Sequence, residues 1–158
     1  MDRRARDRDD LGRKWVPDAR LGVFEIAVTA EAVRGATTSR DALDALRVWA
    51  RTAGLACDVR LLPDASVGAA GAAVVTAALA PLTAEPRLAS PRVSEALHGE
   101  CLDVLECPGE RSGWLRVRAR DGYVGWLHGG YAATGPLDWA GDWEARATAR
   151  ALGADIHT

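Results

Sequence analysis

The sequence predicts a mainly β fold with an α/β element: a small β-barrel, preceded by a strand-helix-strand module and followed by a C-terminal helix. Three observations point there. From Val93 to Tyr131, short alternating runs are punctuated by Gly99-Glu100, Gly113-Trp114, Asp121-Gly122 and Gly129-Gly130. Upstream, apolar residues recur at helical spacing between two extended runs, and near the end Trp139 and Trp143 lie four apart, on one helix face.

The chain begins with a charged tail, residues 1–19, in which acids and bases alternate. Residues 20–84 read as a small α/β module. Val23, Phe24, Ile26 and Val28 suit an extended segment running to Val33, and Arg34-Gly35-Ala36-Thr37 supplies a break. Thr38 with Asp41 three residues on fits a capping box, and Ala42, Leu43, Leu46, Trp49, Ala50 and Ala53 follow at helical spacing. That phase leaves Arg40, Asp44, Arg47 and Arg51 on the wet face, with Gly54 placed to end the helix. Ala56 to Leu62 is a strand stopped by Pro63-Asp64. The apolar stretch from Val67 to Leu82 reads as a loop running into a buried strand, Val74 to Ala80, that enters the barrel.

The barrel is expected over residues 85–135. Cys101, Leu102, Val104 and Leu105 form one strand, and Cys107 to Gly113 has the Pro and Gly density of a loop. From Trp114 to Arg120, alternation places Leu115, Val117 and Ala119 toward the core and Trp114, Arg116, Arg118 and Arg120 on the other side. Asp121-Gly122 then marks a hairpin into the run Tyr123 to His128, because this pair tolerates positive φ. Residues 136–158 form the C-terminal helix or linker, with Asp138 as cap, Trp139, Trp143, Ala147 and Ala151 on one face, and Gly153 as terminator. Its two tryptophans are expected to pack back on the barrel, or else to dock a missing domain.

The order Gly99-Glu100, then Trp114-Leu115-Arg116-Val117, then Asp121-Gly122-Tyr123-Val124-Gly125-Trp126 resembles a bacterial SH3-like domain, over roughly residues 85–135. Such domains form the N-terminal region of NlpC-type cysteine endopeptidases of murein peptides. The outline of residues 20–84 is similar both to small βαβ modules of the BON type and to the divergent SH3-like relative found at that place in tandem-module peptidases. Both descriptions stay open. The resemblance implies a non-catalytic module that recognises a murein peptide or positions a cysteine-peptidase domain absent from this chain. In the cytoplasmic recycling branch of that family, an SH3-like tyrosine helps shape the pocket for a free peptide N-terminus, a part open to Tyr123 or Tyr131 here. The ending just after a helix signal fits a chain cut off before its catalytic domain.

Composition narrows the functions. A formal charge of −2 over 158 residues gives no reason to expect nucleic-acid binding, and arginine's dominance over the lone Lys14 fits a GC-rich genome. No apolar run reaches the roughly 20 residues of a membrane span, and the charged N-terminus lacks the apolar core of a signal peptide, so a cytoplasmic location is expected.

The family's catalytic residues are missing: Cys57, Cys101 and Cys107 precede Asp58, Leu102 and Pro108, none in an Asp-Cys-Ser-Gly context. Cys57 and Cys101 lie in strand-like runs, where a buried, inert thiol is the ordinary case. A dyad of His128 with Cys101 or Cys107, and a zinc site from Cys101, Cys107, His98 and His128, are the chemical alternatives, although Cys-x5-Cys is not the usual zinc spacing. No cofactor is expected, since the glycine-rich runs lack the Lys-Ser/Thr of a phosphate loop. What remains is surface recognition. Trp114, Arg116, Arg118, Tyr123, Trp126 and Tyr131 are the candidate ligand-binding residues: aromatic rings to stack on a sugar or peptide, beside guanidiniums to pair with its carboxylates. The plain alternative is that Trp114 and Trp126 plug the barrel ends while the arginines form a solvated face. The rival function is a protein-protein adaptor gripping a peptide on the same aromatic surface.

Overall fold

The computed structural model describes residues 3–109 and 113–147. Its first element is one that the alternating charges conceal, a helix α1 (Arg3–Trp15) inside the charged tail. Few of its residues are apolar, and the seam that holds it is narrow. Leu11 joins a core cluster with Phe24, buried Gly12 lies so close to Phe24 that a Cβ would come within 2.9 Å of the ring, and Asp7 accepts a 3.4 Å hydrogen bond from the Trp49 indole.

Strands β1 (Phe24–Val28) and β2 (Ala32–Thr37) then form an antiparallel hairpin, and β2 runs parallel to β3 (Ala56–Leu61) through the crossover helix α2 (Arg40–Thr52). The strand-helix-strand expectation therefore holds, with two corrections. Arg34 to Thr37 is strand and the turn is at residues 29–31, where the Thr29 hydroxyl accepts from the backbone of Glu31 and Ala32. The N-cap is Ser39, whose side chain accepts from the Ala42 N–H at 3.2 Å, while Thr38 turns back to accept from Val23. Replacing Ser39 by alanine should lower stability by about 1 kcal/mol, as a lost N-cap does; a shift in the urea midpoint with unchanged slope would register it, and no shift would show that the cap is dispensable.

The remaining strands are β4 (Ala72–Val75), β5 (Leu79–Thr83), β6 (Arg92–Leu97), β7 (Cys101–Glu106), β8 (Trp114–Arg118), β9 (Val124–His128) and β10 (Ala132–Gly135). They make one sheet in the order β10-β4-β7-β8-β9-β5-β6. The stretch read as a single strand from Val74 to Ala80 is two strands, β4 and β5, with residues 76–78 as the break. The sheet curls around one apolar core to which β4 gives Ala73 and Val75, β5 Ala80 and Leu82, β6 Ala96, β7 Leu102 and Val104, β8 Val117 and β9 Leu127. The result is mainly β, as the alternation predicted, and consistent with the SH3-like fold that the resemblance implies. The Asp121-Gly122 turn forms as expected, with Gly122 at φ +88°.

Helix α3 (Leu137–Arg146) lies across the β4 side of this sheet. Pro136 is its N-cap and makes no side-chain cap; Asp138 sits in the first turn. Trp139 packs with Ala72, Val74, Cys101 and Ala140, and Trp143 donates from its indole to the Gly99 carbonyl at 3.1 Å. Trp139 thus packs back on the barrel, while Trp143, 43% exposed, is tied to it by its indole hydrogen bond. The helix ends at Arg146, with Ala147 an extended C-cap and not the helical residue expected; Ala151 and Gly153 lie outside the described residues, as do residues 110–112 of the loop before β8.

Candidate functional site

Whether the outer side of β8 is available for binding depends on what covers it. Between Val104 and Glu106 the β7–β8 ladder shifts by a bulge. One extra residue in a strand breaks the alternation, so Leu105 and Glu106 both belong to the outer side, and Glu106 stands directly opposite Arg116. There Leu105 and Val124 meet Val23, Ala36 and Leu62 of the β1–β3 unit in a second apolar cluster. The three-stranded sheet is docked on the side of the hairpin that alternation had marked as exposed.

Arg116 is the corrected residue. It is 5% exposed and Glu106 is 6% exposed. Its guanidinium donates to Glu106 Oε1 at 2.9 Å and to Glu25 on β1, and its carbon lies 4.6 Å from the centroid of the Trp126 ring. From the other side Arg60 reaches Glu106 Oε2 at 3.2 Å and also holds Asp64. Burial pushes the Asp64 carboxyl up, but the hydrogen bonds from Ser66 and the Arg60 guanidinium more than reverse this and leave it below the usual carboxylate range. Two guanidiniums and three carboxylates thus form a chain across the junction. Such a network costs desolvation on each side, and its members depend on one another. Trp126, 8% exposed beneath Arg116, belongs to the same junction and not to an open surface.

The other candidates separate. Tyr123 lies just before β9, with the Arg20 guanidinium carbon 5.6 Å from its ring centroid. Arg118 faces Val124 at that same end of the hairpin. Trp114 is four residues from Arg118, about 13 Å along an extended strand. Trp114 and Tyr131, however, are brought together by a residue that the sequence suggested only as a base or ligand. His128 is the register partner of Trp114, with ring centroids 5.2 Å apart in an edge arrangement, and Tyr131 approaches its ring at 6.1 Å. The Gly130 N–H donates to His128 Nδ1 at 3.2 Å, which makes Nδ1 the acceptor and leaves the proton on Nε2. The Tyr131 carbonyl accepts from Thr76 and Ala77, anchoring the turn after β9 to the end of β4. All three rings are half-buried. Flanking Gly113 and Gly129 carry no side chain, and the Gly129 N–H donates to the Gly113 carbonyl at 2.7 Å. The site is thus an aromatic corner at the open end of the β8–β9 hairpin, with the His128 Nε2–H as its imidazole donor and no arginine within it among the described residues. The tryptophan and tyrosine were legible; the histidine between them follows only from the cross-strand register.

The thiols do not join it. Cys57 is exposed on β3, where a buried side chain was expected. Burial pushes the Cys101 thiol up, with Glu144 adding to the effect and Arg120 opposing it; burial likewise raises Cys107, helped by Asp64 and Glu106. Raised thiols hold less thiolate, the reactive form. Among the described residues no three of His, Cys, Asp and Glu are grouped to hold a metal ion, and no helix is long and apolar enough to cross a membrane.

No curated protein matches the chain. Residues 82–129, the stretch from the end of β5 to the turn after β9 that holds Trp114, His128 and the hairpin between them, match the family model of the bacterial dipeptidyl-peptidase SH3 domain.

Proposed function

We propose that this chain is a non-catalytic recognition module whose bacterial SH3 domain takes a murein-type stem peptide at the corner formed by Trp114, His128 and Tyr131, and so positions a cysteine-peptidase domain carried elsewhere. The observation that carries this reading is the convergence of the three rings at an open end of the hairpin, the opposite part of which is covered by the β1–β3 unit. SH3-type domains are generally non-catalytic, and aromatic surfaces bind short peptides by stacking and by shielding a few directed hydrogen bonds. The Nε2 proton of His128 is the donor for a peptide carbonyl or carboxylate. Arg116 takes no part in this reading, since its charge is already matched inside the junction. Tyr131 is the tyrosine of the pocket; Tyr123, at the far end of the strand, is not.

Titration of the isotope-labelled chain with a murein stem tripeptide tests this. The Trp114 indole signal and the Gly129 and Gly130 amides should shift and saturate, while the Trp126 indole, covered by Arg116, stays in place. Trp114→Ala should weaken binding by about tenfold or more, the loss typical of an aromatic anchor. A flat response at millimolar peptide, or equal shifts at Trp114 and Trp126, would overturn the assignment.

A further inference from the structure

The outer edge of β3 is the unpartnered feature with the most internal structure. Among the described residues the strand is last in its sheet, pairs only with β2, and is exposed at Ala56, Cys57, Asp58 and Arg60. The Ala56 N–H donates to Glu31 and the Leu62 N–H to Thr37, so the even-numbered residues bond inward to β2. In a parallel ladder the odd-numbered ones, Cys57, Val59 and Leu61, then present their N–H and C=O groups outward. An open edge of this kind is a template for another strand.

We propose that the occupant is the β3 strand of a second copy of this chain, paired antiparallel about a two-fold axis at Val59. The segment Cys57-Asp58-Val59-Arg60-Leu61 is chemically self-complementary about its centre. In that register Asp58 of each copy faces Arg60 of the other, twice by symmetry, and Cys57 faces Leu61. The outward-pointing residues fall on the hydrogen-bonded pairs and the charged residues on the closer, non-hydrogen-bonded pairs, as an antiparallel ladder requires. A protective edge carries charge of one sign, or an inward charge, so that copies repel; here opposite signs meet. Asp58 is also the more open partner, its side chain 79% exposed and only 4.0 Å from Arg34, while Arg60 stays 51% exposed as it holds Glu106. The two three-stranded sheets would become one continuous six-stranded sheet. The pairing is independent of the peptide reading above.

Sedimentation equilibrium of the full chain over the micromolar range should show a reversible monomer–dimer equilibrium that weakens with salt. Cys57→Pro removes an outward N–H without touching the bonds to β2, and should leave a monomer with unchanged circular dichroism; Cys57→Ser should dimerise like the parent. Asp58→Arg turns both cross-strand pairs into repulsions and should weaken the dimer by about tenfold. Register is tested by Leu61→Cys with Cys101 and Cys107 replaced by serine. Cys57 and the new thiol of the other copy then sit about 5.5 Å apart between Cα atoms, within disulfide range, and glutathione disulfide should cross-link the chains. A wild-type chain monomeric throughout the range, or a dimer indifferent to Cys57→Pro and Asp58→Arg, overturns the proposal.

Discussion

Gly35→Ala should destabilise the protein by about 3–5 kcal/mol, the sum of an overpacking term and a strained backbone. Gly35 faces Ile26 in the middle of the β1–β2 ladder with φ at +141°, and a Cβ there would lie 1.9 Å from the carbonyl oxygen of Glu25 and 2.9 Å from its carbon. Those atoms are backbone and cannot rotate away, so the two strands would have to part. Gly54 separates the two causes. It also has positive φ, at +67°, but nothing lies within 4 Å of its Cβ position. Gly54→Ala should therefore cost only the backbone term, about 1 kcal/mol. Urea unfolding followed by tryptophan fluorescence reads both. A Gly35→Ala protein no less stable than Gly54→Ala would mean that the hairpin relaxes freely, and the close approach of β1 would lose its meaning.

Arg116→Ala should cost a similar amount, about 3–5 kcal/mol, because it strands a buried carboxylate. Among the described residues Glu106 then keeps only Arg60, whose side chain is half exposed, and Trp126 loses the guanidinium that covers it. Arg116→Lys should restore little, since an ammonium cannot reach Glu106, Glu25 and the Trp126 face with one planar group. Arg116→Met combined with Glu106→Leu should be much less damaging than Arg116→Ala, as replacing both members of a buried pair by apolar residues often is. The exposed Arg92–Glu95 pair is the reference: Arg92→Ala should cost no more than about 0.5 kcal/mol. If Arg116→Ala behaves like Arg92→Ala, the junction is wet, and the burial of the network is not what holds the β1–β3 unit on the barrel.

The parts of the fold that sequence made legible are those in which one local rule acts without interference. Alternation placed Leu115, Val117 and Ala119 on the inner side of β8, and helical spacing placed Ala42, Leu43, Leu46 and Ala50 under α2, because in both elements one face is buried and the period is unbroken. Gly35 was misread for the converse reason. Glycine in a strand looks like punctuation, yet here it is required by the closeness of the neighbouring backbone. Helix α1 was hidden since its contacts come down to a few residues, chiefly Leu11 and Gly12, in a sea of charge. At the candidate site, Trp114 and Tyr131 were found by residue type, but the company they keep depends on register. Arg116 was misplaced because alternation distinguishes inside from outside only for an isolated barrel. The bulge at Leu105 and the unit docked on the outer face turn that outside into a second interior, and neither is written in the local pattern of β8.

Helix α3 and strands β4 and β10 lie outside the stretch that carries the family signature, yet β4 is the neighbour that β7 pairs with and Val75 sits in the barrel core. A gene fragment cut to residues 82–129 would therefore expose the free edge of β7, the apolar side chains Leu105 and Val124, and an ion pair built for a dry setting. The stretch that matches the family model and the stretch that builds the barrel core are two different lengths of the same chain. Anyone moving this SH3-like stretch into another protein would need to carry β4 and the β1–β3 unit with it as its missing walls.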